Sequence, residues 1–235
     1  MPSSLPVRSQ LGYLVPMRSR GGRFVVLEGI DGAGTTTHVG RLAERLRSMR
    51  VTVRATREPS DGPVGTLVRQ VLTGRVVVPG GRAPGWATMA LLFAADRMDH
   101  VESEVEPVLQ EGGVVLSDRY DASSLAYQSV SSGAESKAAV EWIRSLNRYV
   151  LRPDLTIVLD VLPEVAAGRR LSRNELAQLY DQNEVQRALA AFYKNLARHM
   201  PQDRVVVIDA DGPVDVVHER VWAAYERAFE DAPKT

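Results

Sequence analysis

Phe24 to Thr37, FVVLEGIDGAGTTT, decides the fold. Its first half is a short apolar run, rich in valine, of the kind that forms a strand covered on both faces. Its second half carries Gly29, Gly32 and Gly34. Beyond it Val39, Leu42, Ala43, Leu46 and Met49 recur at steps of three and four, as one helix face requires. Strand, glycine loop and helix in this order make a cradle for an anion. Glycine reaches backbone angles closed to other residues, so successive N–H groups and the helix N-terminus can converge on one phosphate.

The spacing from Gly29 to Gly34 is the G-x-x-x-x-G of a P-loop, where a plain strand-to-helix turn would need one glycine rather than three. One position departs from that pattern. Thr35 stands where the P-loop lysine would reach the terminal phosphates, while Thr36 keeps the hydroxyl that binds magnesium. Losing one cationic contact in a dry site costs about 2.7–4 kcal/mol, by analogy with an oxyanion donor. That is about a hundred- to thousand-fold in rate. A threonine hydroxyl donates a hydrogen bond but carries no charge. Either another cation stands in, or the protein is a slow or inactive relative.

Four more short apolar runs read as buried strands: Val51–Thr56, Val114–Ser117, Leu155–Asp160 and Val205–Asp209. Between them, Trp86 to Gln110 reads as a long helix closed by Pro107 and Gly112-Gly113, and Pro163 to Leu171 as another. Ala188, Phe192 and Leu196, then Val214, Val217, Val221 and Tyr225, suggest two more. Alternating strands and helices with right-handed crossovers imply an α/β fold, a doubly wound five-stranded parallel sheet flanked by helices. Ligands are then expected at the C-terminal strand ends. Residues 1–22 mix Pro, Ser, Gly and Arg without a period and read as a mobile extension, with Met17 a possible start; 23–235 read as a single domain.

Composition narrows the function. Among 235 residues, 29 basic and 29 acidic side chains balance, which leaves no excess to hold duplex nucleic acid. The absence of cysteine excludes disulfides, thiol nucleophiles and cysteine zinc sites, and suits a reducing, cytoplasmic setting. His38, His100, His199 and His218 lie too far apart for a paired-ligand motif, and no apolar stretch is long enough for a membrane span.

The remaining motifs follow in a fixed order: Arg57-Glu58-Pro59 after the second strand, Leu92-Phe93-Ala94-Ala95-Asp96-Arg97 on the long helix, Asp118-Arg119-Tyr120 after the third strand, then Ser123-Ser124-Leu125-Ala126-Tyr127-Gln128. With the loop EGIDGAGTTT, this set resembles the thymidylate kinases from about Arg23 to the last helix. The resemblance implies a P-loop NTP hydrolase fold, Mg2+, ATP as donor, dTMP as acceptor and a homodimer. ATP would be held by Gly29, Ile30, Asp31, Gly32, Ala33, Gly34, Thr35, Thr36 and Thr37, and magnesium by Thr36 and Asp118. It further implies that Arg119 bridges the reacting phosphates and Asp31 holds the sugar 3′-hydroxyl. Phe93 would stack on thymine, Arg97 and Ser124 would contact its polar atoms, and Tyr127 would crowd the 2′ position. Independently, a kinase that brings two charged phosphate groups into line needs arginines converging from different strand ends, and Arg57, Arg97 and Arg119 fit.

In the same family the stretch 168–184 is a mobile lid that closes over the donor phosphates. Here it carries Arg169, Arg170 and Arg173, and one of these is expected to supply the charge that Thr35 lacks. Tyr180 and Gln186 match positions near the bound nucleotide, while Gln182 stands where the family often has arginine. The leading expectation is a kinase that moves the terminal phosphoryl group of ATP onto dTMP for dTTP synthesis. Its rivals are a kinase for another nucleoside monophosphate or a deoxynucleoside, and a nucleotide binder that lost turnover with the lysine.

Overall fold

A computed structural model describes residues 21–133, 136–172 and 183–230. Five strands, β1 (Arg23–Gly29), β2 (Val53–Arg57), β3 (Val114–Asp118), β4 (Leu155–Asp160) and β5 (Val205–Asp209), form one parallel sheet in the order β2-β3-β1-β4-β5. The chain leaves β1 towards the β2 side and leaves β4 towards the β5 side. Their exit loops therefore diverge, opening a crevice at the carboxyl ends of the central strands. The expected strands are all present; β2 starts at Val53 rather than Val51.

The helices are α1 (Thr35–Ser48), α2 (Pro63–Leu72), α3 (Trp86–His100), α4 (Glu106–Gln110), α5 (Asp121–Ser131), α6 (Ser136–Leu146), α7 (Pro163–Ser172), α8 (Asn183–Lys194), α9 (Leu196–His199) and α10 (Val214–Phe229). The long helix expected over 86–110 is interrupted. Val101–Val105 widens to π-helical spacing, with the Glu106 N–H reaching back to the Val101 carbonyl. Pro107, which has no N–H and crowds the carbonyl four residues earlier, gives the reason for a break there.

Alternation along β1 divides the core. Val25 and Leu27 pack with Leu42, Leu46, Leu116 and Ile157, whereas Phe24 and Val26 face Val101, Val105, Val115 and Tyr120. The next residue on the second face is Glu28, a carboxylate at the end of a buried strand with no exposed surface. Sequence periodicity set it among the apolar strand residues, and the structure places it beneath the candidate site.

Candidate active site

The loop after β1 is shaped by its glycines. Gly32 and Gly34 adopt φ of 91° and 98°, where other residues are strained. A Cβ on Gly32 would lie 2.4 Å from the Ala166 carbonyl oxygen, so this glycine is what lets α7 rest on the loop. Thr35 is buried at the start of α1, while Thr36 is exposed and its hydroxyl donates to Asp118 Oδ2. The other carboxylate oxygen, Asp118 Oδ1, is buried and meets no hydrogen-bond partner among the described residues. A hydroxyl beside a carboxylate with a spare oxygen suits Mg2+, which takes few protein ligands and fills its shell with water and substrate phosphate. No cluster of three or more His, Asp or Glu among the described residues offers a fuller cage.

Arg119 follows Asp118 in the left-handed region, φ 73°, a strained conformation held by hydrogen bonds on both sides. Its N–H donates to Leu27 O at 3.0 Å, and its carbonyl accepts from Ser117 Oγ at 2.7 Å. The guanidinium reaches Gly29 O at 2.9 Å, Asp31 Oδ1 at 2.6 Å and Ser123 Oγ at 3.1 Å. Its carbon lies 5.3 Å from the Tyr127 ring centroid. Gln186 on α8 donates to Asp31 Oδ2 at 3.2 Å, which brings this residue to the loop.

Two clefts flank the phosphate loop. The first, with about 590 Å³ of empty space, is lined by Asp31, Phe93, Arg97, Arg119, Ser124 and Tyr127, together with Glu58, Pro59 and Gln128. Its floor is Arg97, whose charge is completely buried. It pairs with Glu58 at 2.7 Å, donates to Asn147 Oδ1 at 2.6 Å and to Ser124 Oγ at 3.0 Å, and lies 5.2 Å from the Tyr120 ring centroid. Burial pushes the Tyr127 phenol well above its ordinary range, so it stays a neutral donor. Arg57 is turned away: it is exposed, pairs with Asp61 at 2.8 Å and does not line this cleft.

The second cleft, of about 610 Å³, is lined by Gly32, Gly34, Thr37, His38, Arg169 and Gly212 among others. Arg169 on α7 spans it, donating to Ala210 O at 3.0 Å and more weakly to Ala33 O at 3.4 Å. Arg170 donates to the Asp31 carbonyl. Two of the three lid arginines thus lie on the phosphate loop. Arg173 and Tyr180 lie outside the described residues, as does Gln182. His38 sits beneath this cleft, its ring stacked on His218 with centroids 6.2 Å apart; burial, then His218, lowers its pKa to about 4. Neutral at pH 7, it cannot replace the lysine.

A family model described as thymidylate kinase matches residues 27–221. A probable thymidylate kinase of Pyrococcus abyssi is 38% identical over 202 residues, covering 86% of this chain and 95% of that protein. The thymidylate kinase of Thermomicrobium roseum is 40% identical over 206 residues, covering 85% and 92%. That of Rhodopseudomonas palustris is 37% identical over 210 residues, covering 88% and 89%. The chain belongs to the thymidylate kinase family. It is thus a phosphotransferase with ATP as donor, and the rival readings from sequence are not favoured. No helix among the described residues is long and apolar enough to cross a membrane.

Three contributors to this thymidylate kinase site escaped the sequence reading as functional residues: Glu28, Ser123 and Tyr193. Ser123 Oγ lies 2.9 Å from Tyr193 OH, and both hydroxyls bond to Glu28 Oε2, at 2.6 and 3.0 Å. The available signal was a charged residue ending an apolar strand directly before the glycine loop. Burial raises the Glu28 carboxyl to about 7, against the opposing pull of the Arg119 charge and of hydrogen bonds from Ser123, Tyr120 and Tyr193.

Proposed function

We propose that this protein binds dTMP in the Phe93–Arg97–Tyr127 cleft and ATP in the Gly34–His38–Arg169 cleft, and transfers the γ-phosphoryl group across the loop between them. The observation that carries this reading is the placement of the two clefts on either side of one phosphate loop, with Arg119 on the acceptor side and Arg169 on the donor side. A nucleoside monophosphate entering the first cleft presents its phosphate to Arg119, while the loop N–H groups hold the donor phosphates. The acceptor oxygen is already anionic, so no general base is required. Positioning and electrostatic stabilisation supply the catalysis.

Within this reading Phe93 offers a face for the base, and Arg97 and Ser124 offer hydrogen bonds to its edge. Tyr127 and Asp31 bound the sugar. Thr36 and Asp118 would hold Mg2+, which supplies charge neutralisation at the bridged phosphates. Arg169 and Arg170 already lie on the phosphate loop and provide the cationic character that Thr35 does not. Residues 23–235 act as one kinase domain, in the cytoplasm, as a homodimer. Leu91 and Met98, seven residues apart on one face of α3, and Leu67 on α2 are exposed apolar side chains that suit such an interface.

Steady-state ADP formation with dTMP, dUMP, UMP, CMP, AMP and thymidine tests the assignment. Turnover highest with dTMP, and lost on Arg119→Ala in a folded protein, is the expected result. Activity with another acceptor and none with dTMP would overturn it.

A further inference from the structure

Glu28 occupies a position that packing alone does not explain. It is a fully buried carboxylate, and its two oxygens do different work. Oε1 accepts from the backbone N–H groups of Tyr120, at 2.9 Å, and Ser123, at 3.1 Å. These open the first turn of α5, which has no side-chain cap of its own. Oε2 takes the hydroxyl hydrogens of Ser123 and Tyr193. A hydroxyl that donates to a carboxylate presents its lone pairs elsewhere. Both oxygens are then acceptors for the Arg119 guanidinium, at 3.1 Å from Ser123 Oγ and 3.4 Å from Tyr193 OH.

We propose that Glu28 is a positioning residue for phosphoryl transfer: its ionised carboxylate orients the Ser123 and Tyr193 hydroxyls so that they anchor Arg119 towards the reacting phosphates. The inference rests on the kinase reading above and adds to it a residue that touches neither nucleotide. Its logic is directional. A proton on Oε2, or an amide nitrogen in its place, becomes a donor. A protonated Oε2 has a single hydrogen and reverses one of the two bonds, whereas an amide nitrogen can donate to both hydroxyls. A hydroxyl that accepts from position 28 turns its own hydrogen away, towards the other hydroxyl 2.9 Å off or towards a guanidinium that can only donate. The anchoring of Arg119 by Ser123 Oγ and Tyr193 OH is weakened at one of them on protonation and at both with the amide, while the bonds from Oε1 to α5 stay in place.

The surroundings make this sensitive to pH in the range where a kinase works. From the end of β3 the charge of Arg119 faces Glu28; from α5 and α8 come the neutral phenols of Tyr127 and Tyr193; and Asp31 of the loop lies beyond Arg119. Burial outweighs these and lifts the Glu28 carboxyl to about 7, so both forms are populated near neutrality.

The test is Glu28→Gln, which keeps the size and the Oε1 acceptor, assayed for kcat and KM against pH alongside the native protein. The native kcat should fall on the acid side with a midpoint near pH 7, while the variant should lie low throughout, about 10–100-fold down, with that acid limb gone. The KM for dTMP should hardly move, since the base and sugar contacts are untouched. Should Glu28→Gln fail to fold, Ser123→Ala cuts the same link and should lower kcat at unchanged KM for dTMP. Native-like kcat with the acid limb intact in a folded Glu28→Gln protein, or native kcat in Ser123→Ala, would overturn the proposal. A native protein inert towards dTMP would instead refute the kinase reading, and this inference with it.

Discussion

A buried carboxylate that ionises with difficulty must cost stability once it is charged, and Glu28 makes that cost measurable. Its pKa rises from an ordinary 4.5 to about 7, chiefly through burial. A rise of that size corresponds to about 3 kcal/mol, and Glu28 has no exposed surface that would screen it. The sign follows from which state binds the proton more tightly. Below about pH 4.5 the folded and unfolded chains are both protonated and there is no penalty. As the pH climbs from there to about 7 the unfolded chain gives up its proton first, so folding loses stability progressively. Above the folded pKa the loss is complete. Glu28→Gln has no such titration. The stability of the variant minus that of the native protein should therefore grow by about 3 kcal/mol across this window, or about 6–12 °C in Tm for a domain of this size. Any constant effect of the amide on packing cancels, because only the change with pH is read. Parallel thermal melts of both proteins from about pH 5 to 8.5 would measure it, most of the change falling within that range. A difference that stays flat with pH would refute the placement of a desolvated, ionisable carboxylate beneath Arg119.

Other sites give independent checks. Arg97→Ala leaves Glu58 buried without its cation and should destabilise the protein by about 3–5 kcal/mol in denaturant unfolding; a loss under about 1 kcal/mol would contradict the buried pair. Gly32→Ala places a methyl group 2.4 Å from the Ala166 carbonyl at a positive φ, so it should push α7 off the phosphate loop and raise the KM for ATP far more than that for dTMP. Arg169→Ala and Arg170→Ala should each weaken ATP use by about ten- to a thousand-fold in kcat/KM if their charge replaces that of the missing lysine. Unchanged kinetics in both would return the problem to Arg173.

Much of this architecture was legible because its strands are short valine- and leucine-rich runs, which a parallel sheet covered on both faces demands. All five appeared in the sequence. Helix α5 did not, for a physical reason: Asp121, Ala122, Ser124, Leu125, Ala126, Tyr127, Gln128 and Ser129 are all buried, so no polar face marks a helical period. Pro63 at the start of α2 and the Ala139–Val140–Ile143–Leu146 spacing of α6 were readable signals that went unused. The loop, Asp118-Arg119, Phe93 and Arg97 were visible as motifs. Glu28 stood at the head of that loop without a role and Tyr193 lay outside every motif, because the two meet across 165 residues of chain and only folding brings them to Ser123. Arg57 shows the opposite limit: its motif was clear, yet its side chain turns outward to Asp61.

If one phosphoryl group passes between two nucleotides bound on either side of the loop, a label on that group should follow it. With γ-labelled ATP, Mg2+ and dTMP, the label should appear in the β-phosphate of dTDP, and Arg119→Ala should abolish the transfer while the protein stays folded. Label released as inorganic phosphate, or retained in ATP while dTMP remains unconverted, would contradict the account.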